Sequence, residues 1–273
     1  MGHSEKSIKR GRRSSGRTGA GALRLVRNGL LGLAAIIVLT IGAHAHRGQT
    51  QASLPKPEEI LERYVKALGG KDAILKHKSR TRTGTFKSAS GLTATIVEYI
   101  KPYKALTKLS AGGAEYVQGF DGQVAWQSAP NAAPSLTEPF IAEFWKREGD
   151  LYYPTHIRDY FRTFETAGVV DFEGRPCYHI KGVTNWGDSN EQFYDKQTGL
   201  LAGYRFPSGG SKDAPLVVQV FSDYEEYSGV LVPTTETAKQ GQAVTTIRYA
   251  SVSFDDVDDA IFKLPESLKQ KGK

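Results

Sequence analysis

Phe120-Asp121-Gly122-Gln123-Val124-Ala125-Trp126 reads as the tip and return strand of a β-hairpin. Asp-Gly between apolar flanks is a favoured hairpin dipeptide because glycine takes positive φ without a Cβ clash. Three more turns of this kind follow, at Phe172-Glu173-Gly174, Gln197-Thr198-Gly199 and Tyr227-Ser228-Gly229. Together they describe one long antiparallel meander, a form of sheet that holds a ligand in its concave face.

Outward from these turns, apolar residues recur at every second position, the period of a half-buried strand. Leu92, Ala94, Ile96 and Ile100 share one strand face, Leu200, Ala202, Tyr204 and Phe206 another, and Val218, Val220 and Tyr224 a third. Strands are predicted near residues 80–88, 92–100, 103–110, 114–119, 123–128, 165–172, 176–183, 190–195, 200–207, 215–224, 231–239 and 243–254. A sheet of eleven or twelve strands must curl.

Helices punctuate the meander in two places. Pro57, Glu58 and Glu59 suit a helix start, Gly69-Gly70 stops it, and Ile60, Leu61, Tyr64, Val65 and Leu68 form its apolar stripe, with a second short turn near 71–76. Thr137 is a candidate cap for a second helix carrying Glu138 and Pro139 in its first turn, with Phe140, Ile141, Phe144 and Trp145 on one side. A helix this aromatic needs an apolar partner. It is either a fixed plug in a half-closed sheet or a movable lid over a cavity, and Leu151-Tyr152-Tyr153-Pro154 with a short helix over 157–162 extends its apolar surface.

The first 45 residues are expected to lie outside the fold. Eight of the 36 Lys and Arg residues and one of the 29 acids fall within the first 29 positions, followed by an apolar run from Leu30 to Ala45. This is the charge and hydropathy pattern of a signal peptide, with Ala43-His44-Ala45 at a cleavage position; an uncleaved inner-membrane anchor is the alternative. Export to the periplasm follows from either. Without the leader the chain holds 28 basic and 28 acidic residues, so the pI near 9.3 belongs to the leader and nucleic-acid binding is excluded. Residues 46–268 are enough for a single β domain, 269–273 form a basic tail, and the lone Cys177 rules out an internal disulfide.

Motifs that carry chemistry are few. The chain has no His-Glu-x-x-His, no Gly-x-Ser-x-Gly elbow and no phosphate-cradling Gly-Lys-Ser/Thr loop. Cys177 and His179, two apart on a strand, are too few to hold a metal, and His179 reads as a surface residue opposite the core. Asp255-Asp256-Val257-Asp258-Asp259 lacks calcium-loop spacing and reads as a solvated turn, while Glu225 and Glu226 point to opposite strand faces. No catalytic residue, metal or cofactor is assigned. Trp186, in the polar loop Thr184-Asn185-Trp186-Gly187-Asp188, is the outlying aromatic, a candidate contact at a cavity rim.

Four runs, in order, carry a resemblance: Tyr99-Ile100-Lys101-Pro102, Phe120 to Trp126, Thr137-Glu138-Pro139-Phe140-Ile141, and Asp259-Ala260-Ile261-Phe262 with Pro265. They resemble the periplasmic outer-membrane lipoprotein-sorting carriers (LolA-like) and related lipid-handling proteins. The resemblance implies an unclosed antiparallel β-barrel around helices, mainly β, with an apolar cavity for acyl chains. It also implies a lipid or lipidated protein as cargo and membrane-associated donor and acceptor proteins as partners. The basic residue before the Pro is an Arg in those carriers and is Lys101 here, without the planar five-donor fork, so the cavity carries over and the cargo does not.

The expected protein is a monomeric, non-enzymatic lipid or lipoprotein carrier. Its candidate cavity and lid residues are Lys101, Trp126, Phe140, Ile141, Phe144, Trp145, Tyr204, Phe206, Val218 and Val220. A non-catalytic structural or partner-binding envelope domain and an envelope hydrolase are the rival readings.

Overall fold

The computed structural model describes residues 53–208 and 214–269, apart from the side chains of Pro139 and Phe140. Residues 1–52 (with the expected leader), residues 209–213 and the last four residues of the expected tail lie outside the described residues. Two helices, α1 (Pro57–Ala67) and α2 (Lys71–Leu75), lead into β1 (Arg80–Lys87), β2 (Thr93–Lys101), β3 (Lys104–Ala111), β4 (Ala114–Phe120), β5 (Ala125–Ser128) and β6 (Ser135–Leu136). After α3 (Pro139–Glu148) and two 3-10 turns, Tyr153–Thr155 and Ile157–Tyr160, come β7 (Phe161–Phe172), β8 (Arg175–Thr184), β9 (Ser189–Asp195) and β10 (Leu201–Pro207). β11 (Leu216–Tyr227), β12 (Val230–Gln240) and β13 (Ala243–Ser253) complete the sheet, followed by a 3-10 turn, Asp259–Phe262, and α4 (Glu266–Lys269).

The order is β6-β5-β4-β3-β2-β1-β13-β12-β11-β10-β9-β8-β7, and each sequential hairpin pairs antiparallel. β1 and β13 join the two meanders at the centre, and β6 and β7 stay unpaired with each other, which leaves the curved barrel open. All twelve predicted strands are present. The thirteenth, β6, is two residues lying against Trp126 and Gln127 of β5, too short to show a period. Glu173 and Gly174, and Ser228 and Gly229, all have positive φ, the geometry of a two-residue hairpin turn.

Ile60 and Tyr64 of α1, with Leu68 at its C-cap, bury against Ile180, Tyr194, Leu201, Tyr204, Phe221, Val230 and Val232 to make the main core inside the curl. Gly69 lets the helix end touch the sheet: a Cβ there would come within 2.1 Å of the Gly229 carbonyl oxygen, and Leu231 N–H donates to the Leu68 carbonyl next to it.

Four local expectations are corrected. Thr137 does not cap α3; its hydroxyl donates to the Ala125 carbonyl, so it belongs to the β5 edge, and Glu138 takes the N-cap position without a side-chain bond. The short helix predicted over 157–162 ends at Tyr160 because Phe161 already pairs with Thr184 as β7. Ala202 does not share a face with Tyr204 and Phe206, because an irregularity between Leu201 and Gly203 shifts the alternation; Leu200, just before β10, packs with them on the inner cluster. In β11 the positive φ of Asp223 has the same effect, so Phe221 and Tyr224 face inward while Val218 and Val220 face out.

Candidate functional site

β2 to β5 bury both faces. Inward, Ile100, Ala105, Phe120 and Ala125 receive Trp145 and Leu151, and Ile141 and Phe144 of α3 pack at the margin of this cluster. Outward, one position along each strand, Leu106 and Trp126 are covered by Val257, Phe262 and Leu268. Gly119 makes room for the indole: a Cβ there would lie 2.5 Å from the Trp126 ring.

The predicted site residues divide accordingly. Ile141, Phe144 and Phe206 meet around a cavity of about 580 Å³, bounded also by Trp186, Asn190 and Arg147. Trp145, buried, anchors the helix beside it rather than lining it. Tyr204, buried, lines a second, smaller chamber. The side chain of Phe140 lies outside the described residues. Lys101 and Trp126 are on the outer face, and Val218 and Val220 pack outside against Phe172, Cys177, Phe193 and Ala202. Trp126 follows the inward Ala125, and strand alternation sends it the other way.

Lys101 therefore meets the C-terminal segment, not the cavity. Its Nζ donates to the Val257 carbonyl at 2.6 Å and lies 3.3 Å from Asp256, while Lys104 reaches Asp259 at 2.9 Å. The Lys104 ammonium holds the Asp259 carboxyl below its ordinary value. The acidic run is thus a clasp with exposed carboxylates rather than a free turn. His179 also differs from expectation: it is opposite the core but only 8% exposed, stacked on Phe193 and bonded to Glu191 at 2.9 Å. Burial depresses its ionisation below the usual histidine value despite Glu191. Burial pushes the neighbouring Cys177 thiol up to about 11, which keeps it protonated and unreactive.

Beyond the apolar cavity, and sharing Arg147 with it, is a chamber of about 140 Å³ lined by charge and phenol: Arg80, Arg82, Glu148, Glu236, Tyr153 and Tyr204 among others. Arg82 places its fork between Glu98, at 2.5 Å, and Glu236, at 2.6 Å, with its guanidinium 4.0 Å over the Tyr249 ring, whose hydroxyl donates to Glu98. Arg147 pairs with Glu148 at 2.9 Å. Asp150, at the end of α3, accepts from the Tyr160 hydroxyl at 2.7 Å and from the Tyr152 amide, and contacts His156 Nε2, tying the helix to the two 3-10 turns. Burial raises the Glu236 carboxyl above its ordinary value and keeps the Tyr204 and Tyr224 phenols protonated.

These polar residues escape a reading that looks for apolar alternation. Their signal is the alternation Arg80-Thr81-Arg82-Thr83, which sends two arginines to the same face as Phe86, and Glu98 among the inward residues Ala94, Ile96 and Ile100 of β2. Among the described residues no group of three or more His, Cys, Asp and Glu side chains is placed to hold a metal, and no helix is long and apolar enough to cross a membrane.

No family model matches the sequence, and no curated protein matches it. Solved structures do share its architecture. A DUF1329 family protein from Desulfovibrio piger ATCC 29098 is 15% identical at a TM-score of 0.54, covering 77% of this chain and 98% of its own. An outer membrane lipoprotein-sorting protein domain from Vibrio parahaemolyticus is 13% identical at 0.53, covering 75% and 94%. A LolA superfamily protein from Nitrosomonas europaea is 10% identical at 0.53, covering 77% and 99%. At these identities the likeness is one of fold: the protein is an open antiparallel half-barrel with helices in its curl. That fold is LolA-like.

Proposed function

We propose that this protein is a periplasmic, non-catalytic carrier that holds the acyl chains of a lipid or of a lipidated protein beneath α3. The observation that carries this reading is the cavity of about 580 Å³ walled by Ile141 and Phe144 of the helix and by Phe206 and Trp186 of the sheet side. The likeness in fold to a lipoprotein-sorting domain supports it. Each CH2 transferred from water into such a space contributes about 0.8 kcal/mol, so a long acyl chain is held without any charged contact. α3 suits the role of lid because, among its apolar side chains, Trp145 is buried against the sheet while Ile141 and Phe144 are only partly buried and border open space. Outward movement of the helix about that anchor would release the cargo.

Mass spectrometry of a lipid extract from native protein purified from the periplasm tests the proposal. Stoichiometric lipid is expected, and protein that carries none overturns it. Phe144→Asp is expected to abolish co-purifying lipid while the far-ultraviolet circular dichroism of the sheet is unchanged; undiminished lipid in that variant removes α3 from the site.

A further inference from the structure

The concave face holds a further cleft that no residue of α3 lines. It lies at the end of the half-barrel where the β1–β2, β3–β4 and β5–β6 connections turn, has a volume of about 520 Å³, and shares no lining residue with the cavity under α3. Strand pairing puts its wall on the inner side. Ile100, Ala105 and Phe120 meet α3, and stepping by twos from them along each strand gives Ala94 on β2, Thr107 and Leu109 on β3, and Gln118 and Tyr116 on β4. Ala129, Ala132 and Ala133 of the loop before β6 line the cleft as well.

Two properties restrict its occupant. The first is an apolar surface open to water: Leu92 and Tyr116 are exposed, and Phe86 and Leu109 beside them are only partly buried. An alkyl chain laid against them removes that surface from solvent. The second is a lack of charge, since among the described residues no Lys, Arg, His, Asp or Glu lines the cleft. Lys108 and Glu115, on the same strands, alternate to the outer face and reach each other at 3.9 Å. Glu98, opposite Thr107, is taken up by Arg82 and the Tyr249 hydroxyl. An ionic headgroup would shed water here and gain no counter-charge. What the cleft does offer is a row of neutral polar groups, Thr107, Gln118 and Gln127, each opposite the next across β3, β4 and β5, with both amides exposed. An amide both donates and accepts, so the row matches a hydroxyl or an ester.

We infer that this cleft is a second site, which binds an uncharged amphiphile with its alkyl chain along Leu92, Leu109 and Tyr116 and its hydroxyl or ester end on Gln118 and Gln127. The site goes beyond the carrier reading: it needs no movement of α3 and stands whether or not the cavity under the helix is filled.

Calorimetric titration of the full chain with 1-dodecanoylglycerol, dodecanoate and dodecyltrimethylammonium, below their micellar concentrations, tests the site, since their chains are alike and their ends differ in charge. Phe144→Asp isolates the cleft by disabling the cavity under α3. In that variant the glyceride is expected to bind with one equivalent, and both ions about tenfold or more weakly. Adding Tyr116→Asp, a carboxylate at an exposed position of the cleft, is expected to abolish the remaining equivalent with an unchanged circular dichroism spectrum. Gln118→Leu in place of it should weaken the glyceride severalfold. A folded Phe144→Asp protein that binds no glyceride overturns the inference, as does binding that Tyr116→Asp leaves undiminished. Ions that bind as tightly as the glyceride overturn the assignment of an uncharged ligand. If Tyr116→Asp alone removes all binding and Phe144→Asp removes none, the carrier reading falls and this site stands.

Discussion

The inner and outer faces of β2 to β5 are covered in different ways. Inside, α3 sets down one tryptophan, Trp145, and leaves a cavity beside it. Outside, the C-terminal segment closes over Trp126 with Val257, Phe262 and Leu268 and is clasped by Lys101 and Lys104. The outer cover is fixed by packing, by a buried carbonyl bond and by charge. The inner one is held by Trp145, by the partly buried Ile141, Ala142 and Phe144 beside it, and by Arg147 and Asp150 toward its far end. The same strands thus carry a permanent seal on one side and, on our reading, a movable one on the other.

Three experiments would break or sharpen this contrast. Trp126→Ala removes a large side chain from a fully covered site and should cost about 3–5 kcal/mol in chemical denaturation, with new proteolytic cuts within 255–269. Ligand binding under α3 should survive it; loss of binding would show that the two faces are not independent. Lys101→Met removes the bond to the Val257 carbonyl and should cost about 1.5 kcal/mol, again with faster proteolysis of the C-terminal segment. If instead it abolished lipid binding and left that segment protected, Lys101 would belong to the inner face after all.

The smallest effect concerns pH. His179 has a lowered ionisation in the fold, so the unfolded chain takes up its proton first as pH falls. Stability from this group is present above the ordinary histidine value of 6.5 and is lost as pH falls through it toward the lower folded value. His179→Phe, still able to stack on Phe193, should flatten that part of the stability profile. An unchanged slope would assign the acid sensitivity elsewhere.

Much of the meander is legible in the sequence because its turns are chemical. Asp121 accepts from the Gln123 and Val124 amides, Asp195 accepts from Gln197 and Thr198, and glycine with positive φ stands at 122, 174, 199 and 229. Facing is less legible. Period two identifies which residues share a side only until a bulge intervenes, and the irregularities at Leu201 and Asp223 turned Ala202, Val218 and Val220 outward. Trp126 and Lys101 show a second limit. Where both faces of a strand are buried, alternation cannot say which one the helix occupies; that depends on the distant residues 257–268. The cavity residues from α3 and Phe206 were recognisable as apolar and aromatic, whereas Arg147 and Asn190 come to line one cavity only through the curl of the sheet.

The join between β1 and β13 has a further consequence, for the order in which the molecule assembles. Each half, β1 to β6 and β7 to β13, is a run of sequential hairpins that close short loops and can form from local contacts. The seam between them pairs Thr81 with Ser253, and such distant partners meet late and slowly. The interior surfaces of the two halves therefore stay apart until the last strand emerges. A chain truncated before Ala243 would retain two separate meanders, each with a bare edge and no shared interior, and would be prone to pair with its own copies.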